Sequence, residues 1–217
     1  MSGSNEIMVD FMVEDNSKNI LFSIGHSSHT IDKFTCLLKR YGIEAVADVR
    51  SNPYSKYAPQ FNKDIIENVL RNANIDYMFL GRELGARRSE EDCYVERQAK
   101  YEIITHLPIF QAGLERLLEG IKTYSFALMC SEGDPIVCHR TILVCREIIK
   151  VSPELKITHI LGDGTTETHE HLQERLIKLH KLQPELFGDL TSTSELIEKA
   201  FDLQAERIAY GKVPAEA

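Results

Sequence analysis

Two stretches of this sequence concentrate residue types that can do chemistry. The first runs Cys130-Ser131-Glu132-Gly133-Asp134-Pro135-Ile136-Val137-Cys138-His139-Arg140 and brings two thiols, a carboxylate, an imidazole and a guanidinium together. A thiolate is a nucleophile and a soft metal ligand, and both uses require the proton to leave. The second combines His26-Ser27 with Asp48-Val49-Arg50. On a strand, Asp48 and Arg50 leave the same face. They form either an anion clamp, with the arginine gripping phosphate or carboxylate through two bonds, or an internal ion pair. The unperturbed pKa of histidine lies near neutrality, so His26 suits a general base, although a histidine at a strand end is as often a hydrogen-bonded structural residue.

Cys130 is the sharpest candidate nucleophile. A thiol at a strand end, close to a helix N-terminus and to Arg50 or His26, would have its pKa lowered. The bland alternative is a small apolar residue finishing a buried strand, and Glu132 opposes ionisation if it points the same way. A phosphatase- or sulfurtransferase-type loop needs arginine six residues after its cysteine, and position 136 is Ile. Cys130, Cys138 and His139, with His26 nearby, would be soft ligands for a metal. Against this, no Cys-x-x-Cys pair is present, and Cys138 and Cys145 share with Ile142 and Ile149 the spacing of a core stripe on one helix. No metal ligand is therefore expected. The catalytic candidates are Cys130, Glu132, His26 and Asp48. The substrate-binding candidates are Arg50, Ser27, Ser55, Lys56, Arg87, His139 and Arg140. No nucleophile elbow, dinucleotide fingerprint or phosphate-binding loop occurs, so no cofactor is specified.

These residues need a scaffold that gathers them. Apolar runs at Ile20–Ile24, Ala45–Val49, Asp76–Leu80, Phe126–Met129 and Lys156–Leu161 have strand length. Helical patterns cover about 30–41, 63–73, 108–124 and 167–182, and Asp134-Pro135 reads as the start of another helix. A stretch without clear period, 82–106, interrupts the rhythm. The alternation predicts an α/β domain over 20–182 with a mainly parallel sheet of about five strands and helices on both faces. All carboxyl ends of such strands share one edge, where ligands bind. Residues 1–19 read as an N-terminal arm and 183–217 as a helical tail, either of which would serve homo-oligomer contacts.

The blocks Ser-Ile-Gly-His-Ser (23–27), Asp-Val-Arg-Ser-Asn-Pro (48–53), Pro-Gln-Phe-Asn (59–62), Leu-Gly-Arg-Glu-Leu-Gly (80–85) and 130–140 resemble, in order and spacing, the domain of unknown function 488 family. The resemblance spans about 20–182. It implies a small α/β protein without an established general activity, loosely linked to nucleic-acid metabolism. The positions it carries over include His26, Ser27, Asp48, Arg50, Ser55, Cys130, Glu132, Cys138, His139 and Arg140.

Composition narrows the partners. With 25 basic and 33 acidic residues in 217, the formal charge is −8, so any nucleic-acid contact needs a local basic patch. Lys56, Arg82, Arg87 and Arg88, interleaved with Tyr54, Tyr57 and Tyr77, are the candidates. The five cysteines form no regular framework, and no apolar run reaches membrane-span length; a cytoplasmic protein without membrane contact is the expectation. Two functions follow. One is an enzyme acting on an anionic substrate, nucleotide or nucleic-acid related. The other is a non-catalytic module that binds nucleic acid or protein through the same rim.

Overall fold

The computed structural model describes residues 20–184 and 192–212. The arm assigned to 1–19 lies outside them. Six strands form one sheet: β1 (Ile20–Gly25), β2 (Ala45–Asp48), β3 (Asp76–Phe79), β6 (Phe126–Cys130), β7 (Lys156–Ile160) and β8 (Thr166–Thr168). A separate two-stranded hairpin comprises β4 (Tyr94–Val95) and β5 (Gln98–Ala99). The sheet order is β3-β2-β6-β1-β7-β8, with every pairing parallel except β7 with β8. The five expected strands are thus present, and β8 is an addition. The turn at Gly162-Asp163-Gly164 does not lead directly into a helix. It feeds β8, and helix α7 starts only at His169.

The alternation of side chains sorts the sheet into two cores. Ala45, Ala47, Phe126, Leu128 and Cys130 face the larger one, while Val46, Ala127 and Met129 face the other. Helices α1 (Ile31–Arg40) and α2 (Lys63–Asn72) cover the second face. Thr30 caps α1 by accepting from the Lys33 N–H, and Phe34, Leu37 and Leu38 form its buried stripe. The larger core is covered by α5 (Pro108–Ile121), α6 (Arg146–Val151), α7 (His169–Leu179) and α8 (Thr193–Ile208).

Two regions fill out the patterns read above, and a third departs from them. The stretch 82–106 is built of α3 (Gly81–Leu84), a 3-10 turn, the β4–β5 hairpin and α4 (Tyr101–Thr105), pieces too short to show a period. The tail helix α8 starts with a capping box at Ser192 and Glu195 and seals Leu196, Ala200 and Phe201 into the domain core. The helix expected from Pro135 breaks at once. Pro135–Val137 makes a single 3-10 turn, Cys138 is extended (φ −122°, ψ 137°), and a π-helical turn at Arg140–Cys145 then leads into α6.

Candidate active site at the carboxyl edge of the sheet

That break decides the site. Cys138 is buried in the same core as Ile142 and Cys145, as expected, but it precedes the helix and does not sit on its stripe. It turns back toward the end of β6, where the Cys130 and Cys138 thiols both donate to Oε2 of Glu132, at 3.0 Å each. The third neighbour is His139, whose Nδ1 lies 3.5 Å from the Cys130 sulfur. The Nε2–H of this ring donates to the Val49 carbonyl at 2.9 Å, so Nδ1 presents its lone pair to the thiols. The ligating atoms of Cys130, Glu132, Cys138 and His139 all lie within 4.8 Å of one another.

The electrostatics of the thiols are those of a pair. Burial, together with the neighbouring Cys138 and Glu132, raises Cys130 well above the ordinary thiol range. Burial also resists ionisation of Cys138, but the hydrogen bond from Cys130 and the charges of Arg140 and His139 outweigh it and lower its pKa. The pair gives up one proton readily and holds the second. Desolvation and the Cys138 charge raise Glu132. His139 is raised too: burial works against its charged form, and the hydrogen bond and charge of Cys138 overcome it.

Arg140 stands behind this loop, fully buried. Its guanidinium donates to the Glu132 carbonyl (2.6 Å), the Gly133 carbonyl (3.2 Å) and Ser23 Oγ (3.3 Å). It therefore fixes the loop that carries Glu132 and does not pair with Asp48. Ser23 continues inward to His159 Nδ1 (2.7 Å), and His159 reaches His169 Nδ1 (3.1 Å) on α7. Gly25 serves the same loop: a Cβ there would collide with the Glu132 carbonyl, so the glycine admits the protein's own backbone.

The Asp48–Arg50 pair is bidentate and buried, with Nε and Nη2 of Arg50 donating to the carboxylate at 2.9 and 2.6 Å. Tyr77 adds a hydrogen bond to Asp48 (2.7 Å), and Arg50 Nη2 also donates to the Phe61 carbonyl (2.9 Å). His26 stacks on Phe61 with centroids 4.4 Å apart and accepts from Arg50 Nη1 at 3.3 Å. Desolvation and the Arg50 charge lower its pKa to about 4. Its lone pair is thus engaged by a cation.

A pocket of about 420 Å³ opens over the thiol cluster. Cys130, Glu132 and His139 lie at its base; Ser55, Tyr54, Tyr57, Arg50 and Arg87 contribute from the loops after β2 and α3. Of the candidates, Cys130, Glu132, Arg50, Ser55, Arg87 and His139 line this space together. Asp48 and His26 sit beneath and beside Arg50, and Arg140 behind the loop. Ser27 is exposed in a left-handed turn (φ 44°), and Lys56 is exposed over the Tyr57 ring. Sequence reasoning weighed Cys138 and set it aside as a core residue, and it left out Tyr101 and Tyr210. Cys138 was visible as the second thiol beside His139. The two tyrosines come from α4 and from beyond α8, and nothing in their local sequence marks them as pocket walls.

Residues 30–146, just over half of the chain, match the family described as Domain of unknown function DUF488. The chain belongs to that family. Neither the curated proteins nor the solved structures contain a match. The DUF488 match covers the strand ends β2 and β6, the loop 130–140 and the π-helical turn, which together make the thiol cluster. Among the described residues no helix is long and apolar enough to cross a membrane.

Proposed function

We propose that the rim pocket is the active site of an enzyme acting on a small anionic substrate, with a nucleotide or nucleic-acid component as the substrate class. The observation that carries this reading is the position of the thiol–carboxylate–imidazole cluster at the base of an open pocket. Groups that exchange protons and also reach a ligand are what bond-making chemistry requires. Arg87 on the wall supplies a cation, while Tyr54 and Tyr57 offer rings on which a base can stack. Asp48 already neutralises Arg50, so Arg50 contributes donors to the pocket more than net charge.

Thermal shift tests the reading, using mononucleotides, nucleosides and short oligonucleotides on wild type and on Arg87→Ala. A ligand that binds only the folded state raises Tm. The expected result is a Tm rise of a few degrees with a mononucleotide in large excess over its Kd, at least halved in Arg87→Ala. No shift with any of the compounds would overturn the substrate class. The binding-module reading is favoured by the degree of exposure of Tyr57, 87% accessible beneath the Lys56 ammonium. It predicts oligonucleotide binding that Cys130→Ser leaves unchanged and Tyr57→Ala weakens.

A further inference from the structure

We infer that Cys130, Cys138 and His139, completed by Glu132, bind one zinc-class divalent ion at the base of the pocket. The inference deepens the enzyme reading, and rests on it only in taking this cluster as the reacting centre.

The donor set is the first reason. Two thiolates, an imidazole nitrogen and a carboxylate oxygen are the ligands that a borderline-soft ion of tetrahedral preference takes. Bonds of about 2.0–2.3 Å imply edges of roughly 3.3–3.8 Å in such a tetrahedron. The cluster shows edges of 3.0 Å from Glu132 to each sulfur and 3.5 Å from Cys130 to His139. The remaining edges lie within 4.8 Å, so the ion enters if the short contacts open by a few tenths of an ångström and the long ones close by up to about 1 Å.

The orientation of His139 is the second reason. Metal-bound histidines generally donate their other ring N–H to a carbonyl or carboxylate, which fixes the tautomer. The Val49 carbonyl does this here, leaving Nδ1 aimed at the sulfurs. Charge is the third. A divalent cation with two thiolates and a carboxylate carries one net negative charge. The fully buried Arg140 guanidinium, bonded to the Glu132 carbonyl, stands ready to balance it. Without an ion, a single carboxylate oxygen must serve two weak S–H donors. Uptake of the ion replaces those protons, which pass to solvent, and nothing is oxidised or reduced.

The test uses the full chain, stripped with a chelator under reducing conditions and titrated with Zn²⁺ or Co²⁺. One equivalent of zinc should bind with a Kd below about 1 μM. The Co²⁺ form should show the visible bands of a tetrahedral site and a thiolate charge-transfer band in the near ultraviolet. Cys138→Ser should weaken uptake by roughly 100-fold or more and Glu132→Gln by about 10-fold, while Cys36→Ser should leave it unchanged. If Cys138→Ser does not fold, wild type alone still decides. Zinc should slow alkylation of Cys130 and Cys138 at least about 10-fold without protecting Cys36, because a coordinated thiolate is no longer free to attack. Absence of saturable uptake, a cobalt form lacking the thiolate band, or equal alkylation with and without zinc would each overturn the inference. Uptake is measured with no nucleotide present. A failed nucleotide screen would thus sink the substrate reading and leave the metal site standing, and the reverse holds.

Discussion

Two polar clusters flank the same pocket, and they are built differently. Around Asp48 all hydrogen-bonding capacity is spent: the carboxylate accepts from the Arg50 N–H, Nε and Nη2 and from the Tyr77 hydroxyl. Around Glu132 the capacity is held by groups that can exchange protons or ligands: two thiols and an imidazole whose free nitrogen faces them. The first arrangement costs stability when any partner is removed, since a buried charge is left alone. The second tolerates loss of a partner, because its groups can neutralise themselves. Residues that look equally chemical in the sequence divide into a frame and the proposed reacting centre.

The most severe way to break this contrast is Asp48→Ala. It strands the Arg50 guanidinium and the Tyr77 hydroxyl in the interior and should cost about 3–5 kcal/mol in urea unfolding. A cost near zero would mean that the frame is not a frame.

The next largest effect is expected in acid. Burial holds His159 well below its ordinary pKa, and the charges of His169, Arg140 and Arg175 add to this; burial lowers His169 to about 4, with Glu170 opposing. Both rings stay neutral in the fold and charge more readily in the unfolded chain. Their contribution to stability is full above about pH 6.5 and is lost as pH falls from there toward 4, by up to about 3 kcal/mol for His169. Unfolding free energies measured between pH 7 and pH 4 should fall more steeply in wild type than in His169→Phe, by up to about 3 kcal/mol over that range. Parallel curves would remove the buried histidines from the account.

The smallest effect sharpens the contrast from the other side. Cys130→Ser keeps a donor to Glu132 and should cost only about 1 kcal/mol. A loss comparable to that of Asp48→Ala would make the thiol cluster a structural element too.

Much of the fold was readable in advance. Strands such as Ala45–Asp48 and Phe126–Cys130 are short apolar runs between turn residues, and Thr30 marks the start of α1 by a capping rule that acts within three residues. The site was readable in part. Cys130, Glu132 and His139 adjoin in sequence, and Arg87 stood out as a loop cation. Cys138 was misplaced because a seven-residue spacing to Cys145 mimics a helical stripe, and a periodicity argument cannot see a chain break at Cys138 itself.

By itself the sequence determined what depends on neighbours along the chain: the strand–helix alternation, the caps, the family blocks and the inventory of thiols, acids and bases near residue 130. Only the tertiary structure decided which of those groups meet. The Gly25 backbone, the Val49 carbonyl and the Arg140 guanidinium aim the loop 130–140. Tyr101 and Tyr210 close the pocket from segments remote from that loop. The reason is physical: the direction of a side chain at a strand end is set by long-range hydrogen bonds and packing, and those are absent from any local window of sequence.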